Sequence, residues 1–353
     1  MNRGAKIKQA RESRGYSQSE LATLLGVPQA AMSRMENQEM ISDDMIKQLC
    51  DVLDYPAAYF DKDPFKAGER SSMHYRKRAS LKVRDMIKFD SRISSIAQAI
   101  DALLDSIEIP EMDIPAIAPT DGMSPSEIAY KIRQLLNLGL EPVDRIVHVL
   151  ERHGIIVYFI RLEGESSEKI DGLTINTPKG YPLIIVNEDV PNDRKRFTLA
   201  HELGHWVMHT RCPESNEIHD DVQEMQANQF AAEFLMPMMR CKSDFFDLKM
   251  RDLPMMKRKW LVSKHAIIHR AKELGCISES TAQYYYITLG RNGERKQETV
   301  WVDCDIPVVV QKLMSLHRNA LHYSDADLAN IMGLYPRQVI DANSNSPKLK
   351  LSL

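Results

Sequence analysis

Residues 199–205 read Leu199-Ala200-His201-Glu202-Leu203-Gly204-His205, and the spacing of the two histidines decides how the middle of the chain must be built. The run from Arg194 to Thr210 reads as a helix, where residues four apart lie on one face, so His201 and His205 can grip one metal ion together. Neutral imidazole suits Zn²⁺, and a catalytic zinc takes three protein ligands so that a fourth position is left for water. Glu202 points about 100° away around the helix and cannot join the histidines. From there it can reach that water as a general base and later protonate a leaving amine.

The third ligand must come from another element. In gluzincins it is a glutamate on a following helix, and Glu224, nineteen residues after His205, sits at the start of such a helix, Val222 to Met236, stopped at Pro237. The metzincin pattern needs a glycine and a further histidine shortly after the motif; Val207-Met208-His209-Thr210-Arg211 stands there without the glycine. Glu224 is therefore the expected ligand, with Asp220, Asp221 and His219 as alternatives. Asn228, four residues after Glu224 on the same helix face, is expected to orient a ligand from behind. His209 is read as a structural histidine close to the same face; His219, His265 and His269 stay open as transition-state donors, since no spacing rule chooses among them.

A second constellation lies near the start. Ser17-Gln18-Ser19-Glu20-Leu21-Ala22 has a serine N-cap with a glutamate three residues on, followed by Leu24-Leu25-Gly26-Val27 and a second short helix from Pro28. This is helix-turn-helix grammar: Ala22 permits close packing, Gly26 makes the turn, and Leu21, Val27, Met32 and Met35 fill the core. The second helix would present Gln29, Ala30, Ser33 and Arg34 to the major groove of double-stranded DNA, while Gln18 clamps a phosphate at the amide end of the first. Six Lys or Arg against Glu12 and Glu20 between Met1 and Met35 add a local positive surplus, and Lys6 is expected to meet phosphate whatever the base sequence. A helical bundle used for protein contacts is the alternative, because Glu36, Glu39, Asp43 and Asp44 make the rest of the domain acidic.

At 353 residues the chain has room for several domains, and a net charge of −3 excludes a wholly basic nucleic-acid coat, so any such contact is local. No stretch is apolar for long enough to span a bilayer, and a cytoplasmic protein with no membrane partner is expected. The five cysteines are far apart and without a CxxC pair, so they are expected to be free thiols. Asp61 to Pro64 is a polar, proline-ended linker; Lys66 to Lys88 then carries eight Lys or Arg against Glu69 and Asp85, and Arg92 to Ile107 reads as an amphipathic helix. Ser124-Pro125-Ser126-Glu127 opens a helix with a capping box, and strands are expected at Gly154 to Arg161, Gly172 to Asn176 and Pro182 to Asn187. Near the end, His322 to Leu334 echoes Gly15 to Val27 with Tyr, Ser, Leu, Ala and Gly in register. The expected architecture is α+β: a helix-turn-helix domain (1–64), a helical connector (65–120), a zincin-like peptidase domain with a small sheet (121–300), and a helical C-terminal unit (301–353) that is either a second helix-turn-helix or a packing hairpin.

These residues resemble the ImmA/IrrE family of metallopeptidases fused to a helix-turn-helix of the phage-repressor (Xre, Cro/CI) type. The resemblance runs through SQSELATLLGVPQAAMSRMEN (17–37), HYRKRASLK (74–82), SPSEIAYKIRQLL (124–136), IDGLTIN (170–176), RFTLAHELGH (196–205) and ExxANxFAAEFLMP (224–237). It implies that His201, His205 and Glu224 hold zinc and that Glu202 is the catalytic acid and base. It further implies a regulatory endopeptidase that cuts a protein, typically a transcriptional repressor of stress-response or mobile-element genes, with DNA binding for targeting or autoregulation. Because dimers of such modules usually read two half-sites, a homodimer on a palindromic operator is the expectation for the DNA-bound form. The rival expectation is a transcription factor or antitoxin-like regulator whose peptidase fold senses a ligand or partner with little turnover.

Overall fold

The computed structural model describes residues 2–38, 41–66, 82–107, 112–119, 122–162, 169–212, 218–295 and 298–341. Most of the basic stretch, and all of the HYRKRASLK string except Lys82, lie outside the described residues.

The N-terminal bundle holds α1 (Arg3–Ser13), α2 (Gln18–Leu25), α3 (Gln29–Glu36), α4 (Asp43–Leu53) and α5 (Ala57–Phe60). The capping box at Ser17 forms as the sequence implies: its hydroxyl accepts from Glu20 N, and the Glu20 carboxylate accepts from Ser17 N. Gly26 closes α2 in the left-handed region at φ +67°, which is why glycine stands between the two helices. Leu21 and Met32 are fully buried, while Val27 and Met35 pack on the same core from its edge.

Helix α6 (Val83–Leu103) begins nine residues before the helix expected from Arg92 and ends short of Ile107. Its first turns carry the end of the basic stretch, with Arg84 exposed, while Phe89, Ile93, Ile96 and Ile100 are buried in the core they share with α1. Helices α7 (Pro125–Leu135) and α8 (Ile146–Arg152) lead into β1 (Ile156–Ile160), β2 (Gly172–Asn176) and β3 (Pro182–Asn187), in the order β1-β3-β2, with β1 parallel and β2 antiparallel to β3. Both faces of the sheet are covered, so alternate residues enter two different cores. Ile156, Tyr158, Leu173, Leu183 and Ile185 join the core of the N-terminal bundle and α6. Val157, Phe159, Ile184 and Val186 face the core built by α9 (Asn192–His205), α10 (Asp220–Leu235), α11 (Met238–Phe245), α12 (Leu253–Trp260), α13 (Lys264–Glu273) and α14 (Glu279–Arg291).

The chain then returns to the first core through α15 (Val309–Asn319), α16 (Asp325–Met332) and α17 (Pro336–Asp341). The echo seen in sequence is also an echo in structure. Ser324 and Asp327 form a capping box and Gly333 ends α16 at φ +69°, matching Ser17, Glu20 and Gly26. Leu328, Ala329, Met332 and Val339 are buried in the core shared with α5 and α6, Lys62 donates to Ile331 O, and Arg337 pairs with Asp54. The fold class is thus α+β, and among the described residues no helix is long and apolar enough to cross a membrane.

Candidate metal centre

Helix α9 starts two residues before the expected Arg194, after Pro191, which fixes φ for helix entry without needing a donor. It ends at His205, where one π-helical turn, Trp206–Thr210, takes over. Helix α10 crosses it closely because Gly204 has no side chain: a Cβ there would stand 2.9 Å from Phe230 Cδ1. That approach brings Glu224 to the two histidines. His201 Nε2 and His205 Nε2 are 3.0 Å apart, and the Glu224 carboxylate lies 3.7 Å from the first and 3.2 Å from the second. A tetrahedral zinc with bonds of about 2.0–2.1 Å places neighbouring ligand atoms about 3.4 Å apart, so the three separations bracket the edge of such a site. Among the described residues these three form the one group of acidic, His or Cys side chains close enough to hold an ion; Asp220, Asp221 and His219 do not join it. His219 instead caps α10, its ring accepting from Asp221 N.

The ring nitrogens facing away are also engaged. His201 Nδ1 meets Asn228 Oδ1 at 3.1 Å. An amide oxygen only accepts, so the proton sits on Nδ1 and the Nε2 lone pair faces the cluster. His205 Nδ1 meets His209 Nδ1 at 3.0 Å. Burial first, and His205 second, push His209 down to about 4, so its ring is neutral. The donor set, two bare imidazole nitrogens and one carboxylate, fits zinc.

Glu202 is fully buried, and Thr174 Oγ1 on β2 donates to its Oε2 at 2.9 Å. Thr174 lies in the IDGLTIN string, but no spacing rule singles it out from sequence; the same holds for Gln226, whose Oε1 is 2.9 Å from His209 Nε2. Beside the cluster runs a cleft of about 1990 Å³, lined by Glu224, Asn228 and Phe197 and also by Tyr286, Val300 and Trp301. His265 and His269 line this cleft, and His265 stacks on Tyr286 at 5.4 Å. Cys212 is buried, with its thiol 3.7 Å from Val207 O.

In the helix-turn-helix, Gln29, Ala30 and Arg34 are exposed on α3, and Ser33 is half-buried. Gln18 Oε1 accepts from Gln29 Nε2 at 3.0 Å, and Gln18 Nε2 donates to Glu36 at 2.8 Å, over a buried Arg11–Glu36 ion pair. Much of the positive surplus counted along the sequence is taken up by partners within the bundle. Arg3 pairs with Asp43 and Asp61, Arg11 with Glu36, and Arg14 donates to Leu53 O and Asp54 O. Lys6 is fully buried, so it cannot meet phosphate as expected; the charge count overlooked partners far away in sequence. Lys8 and Arg34 stay on the surface.

Residues 150–272 match the family model of the IrrE N-terminal-like domain, a peptidase family, and residues 7–60 match that of the helix-turn-helix. No curated protein is similar enough to the chain to count as a match. The chain therefore joins an N-terminal helix-turn-helix to an IrrE N-terminal-like peptidase-family domain, the fusion that its sequence resembles.

Proposed function

We propose that the chain is a regulatory zinc-dependent endopeptidase that cleaves a repressor-like protein, with its helix-turn-helix binding double-stranded DNA. The convergence of His201, His205 and Glu224 at tetrahedral spacing, next to Glu202, carries this reading. When bound, zinc supplies Lewis acidity, polarising a carbonyl and acidifying water. The chain's own residues do the rest. The two histidines and Glu224 hold the ion, and Asn228 keeps the His201 ring in register. Thr174 holds Glu202 Oε2, so Oε1 is the oxygen that takes a proton from the attacking water and passes it to the leaving amine. An extended stretch of substrate lies along the cleft, its apolar side chains against Phe197, Val300 and Trp301. His265 and His269 are the donors within that cleft for charge developing on the carbonyl oxygen.

A second reading, a DNA-binding regulator with little turnover, draws on the complete burial of Glu202, which does not line the cleft. One assay separates the two. Zinc-loaded wild-type protein is incubated with the repressor encoded beside its gene, in parallel with Glu202→Gln. Cleavage by the wild type alone supports the peptidase; an intact repressor in both tubes supports the regulator.

A further inference from the structure

We infer that His209 and Gln226 act as a positioning relay that sets the tautomer of His205, and so make its Nε2 a metal ligand. The inference rests on the metal site proposed above and concerns residues that the ligand motif does not include. His209 is buried at the π-helical turn that follows α9, a backbone irregularity that recurs at functional sites. Its ring bridges two partners: His205 Nδ1 at 3.0 Å on one side and Gln226 Oε1 at 2.9 Å on the other.

The direction of this chain follows from what each atom can do. An amide oxygen accepts only, so His209 Nε2 carries a proton and donates it to Gln226. The 3.0 Å contact between the two Nδ1 atoms has room for one proton, and a His209 whose proton is held on Nε2 by Gln226 offers a bare Nδ1, which accepts. His205 Nδ1 is then the donor, and His205 Nε2 is left with its lone pair towards His201 and Glu224. Gln226 lies two residues after Glu224, so α10 supplies both a ligand and the end of the relay. Ligating histidines generally donate their other N–H to an oxygen; a second histidine in that place, anchored in turn by an amide, transmits the setting across two rings. His201 reaches the same state directly through Asn228.

The test is zinc affinity by chelator competition on the full chain, with folding checked by circular dichroism. His209→Leu removes the acceptor, and a loss of about 10–100-fold is expected. His209→Asn places an oxygen where Nδ1 stood, and recovery of most of the affinity is expected. Gln226→Leu frees the His209 tautomer and is expected to give a smaller loss; it serves if His209→Leu fails to fold. In histidine-labelled, zinc-loaded wild type, nitrogen NMR is expected to show His209 protonated at Nε2 only. Wild-type affinity in both leucine variants, or a His209 protonated at Nδ1, overturns the relay while the metal site stands. A wild type that binds no zinc overturns the metal site and the relay together.

Discussion

Lys6 Nζ, on α1 of the N-terminal bundle, donates to Gln98 Oε1 on α6, ninety-two residues further along the chain. The ammonium lies 4.1 Å from the centre of the Tyr59 ring and also meets Gln9 Oε1 at 2.9 Å. Gln98 Nε2 donates in turn to Asp63 O, and Gln9 Nε2 to Phe65 O, so the linker itself is stitched into the seam. The core around Ile7 and Ala10 continues without a break through Phe89, Ile93 and Ile96 into one face of the sheet. Any rearrangement of the seam is therefore felt by both the α1 side and the sheet side.

A fragment ending at residue 65 is expected not to fold on its own, because it exposes the apolar face of α1 that α6 covers. Circular dichroism against temperature is the check. A shallow, non-cooperative change is expected, and a sharp transition near that of the whole chain would count against a shared core.

Burial holds the Lys6 ammonium well below its ordinary 10.5, at about 7. The charged form is disfavoured in the folded state, so its cost is fully present below pH 7 and is relieved as the amine loses its proton in the native protein. Stability should accordingly rise between about pH 7 and 10.5. Urea midpoints over that range are expected to climb more in the wild type than in Lys6→Met, which has no proton to lose there. Parallel curves for the two proteins would refute the assignment.

Glu36, buried, accepts from Arg11 Nε at 2.5 Å and from Gln18 Nε2 at 2.8 Å. Glu36→Ala leaves the Arg11 charge buried without its main partner and is expected to cost about 3–5 kcal/mol in urea unfolding. Arg34 is exposed on α3, and Arg34→Ala is expected to leave stability unchanged but to cost about 1–3 kcal/mol of specific DNA binding. Enrichment from random duplexes with the full chain, followed by titration, measures the second effect; equal affinity of both proteins for the enriched duplex would remove Arg34 from the interface.

Gly204→Ala sets two effects against each other: about 1 kcal/mol of helix propensity gained, and an overpacked crossing that costs about 1–3 kcal/mol. The fully buried Phe230 side chain is 2.9–3.2 Å from the added carbon, so the second effect should win. Zinc affinity should fall with it, since the two ligand helices are pushed apart. Adding Phe230→Leu is expected to restore part of both, and a Gly204→Ala protein as stable and as zinc-avid as wild type would show that the crossing has slack.

Much of this was legible in the sequence where local chemistry dominates. The bounds of β2 and β3 follow from their flanking Gly and Pro, and the capping boxes at Ser17 and Ser124 formed as read. The helix spacing of His201 and His205, and a glutamate at 224, led to the cluster. What local patterns could not show are partners set by tertiary packing. Charge counting made Lys6 and Arg11 a basic surface, whereas Gln98 and Glu36 take them inside. The first turns of α6 fall outside the helix expected from Arg92 because their charges, counted only as a basic stretch, mask a helix with one exposed face. Thr174 and Gln226 belong to no spacing rule at all; only the placement of β2 and α10 against α9 brings them to Glu202 and His209.

The central claim is that a zinc ion is held by His201, His205 and Glu224, and the most direct measurement is anomalous diffraction. Crystals of the full chain grown with equimolar zinc are recorded on both sides of the zinc absorption edge. The account expects one strong difference peak about 2.0–2.2 Å from His201 Nε2, His205 Nε2 and a Glu224 oxygen, present also in Glu202→Gln and lost in Glu224→Ala. No peak at that position, or one that survives unchanged in Glu224→Ala, would contradict it.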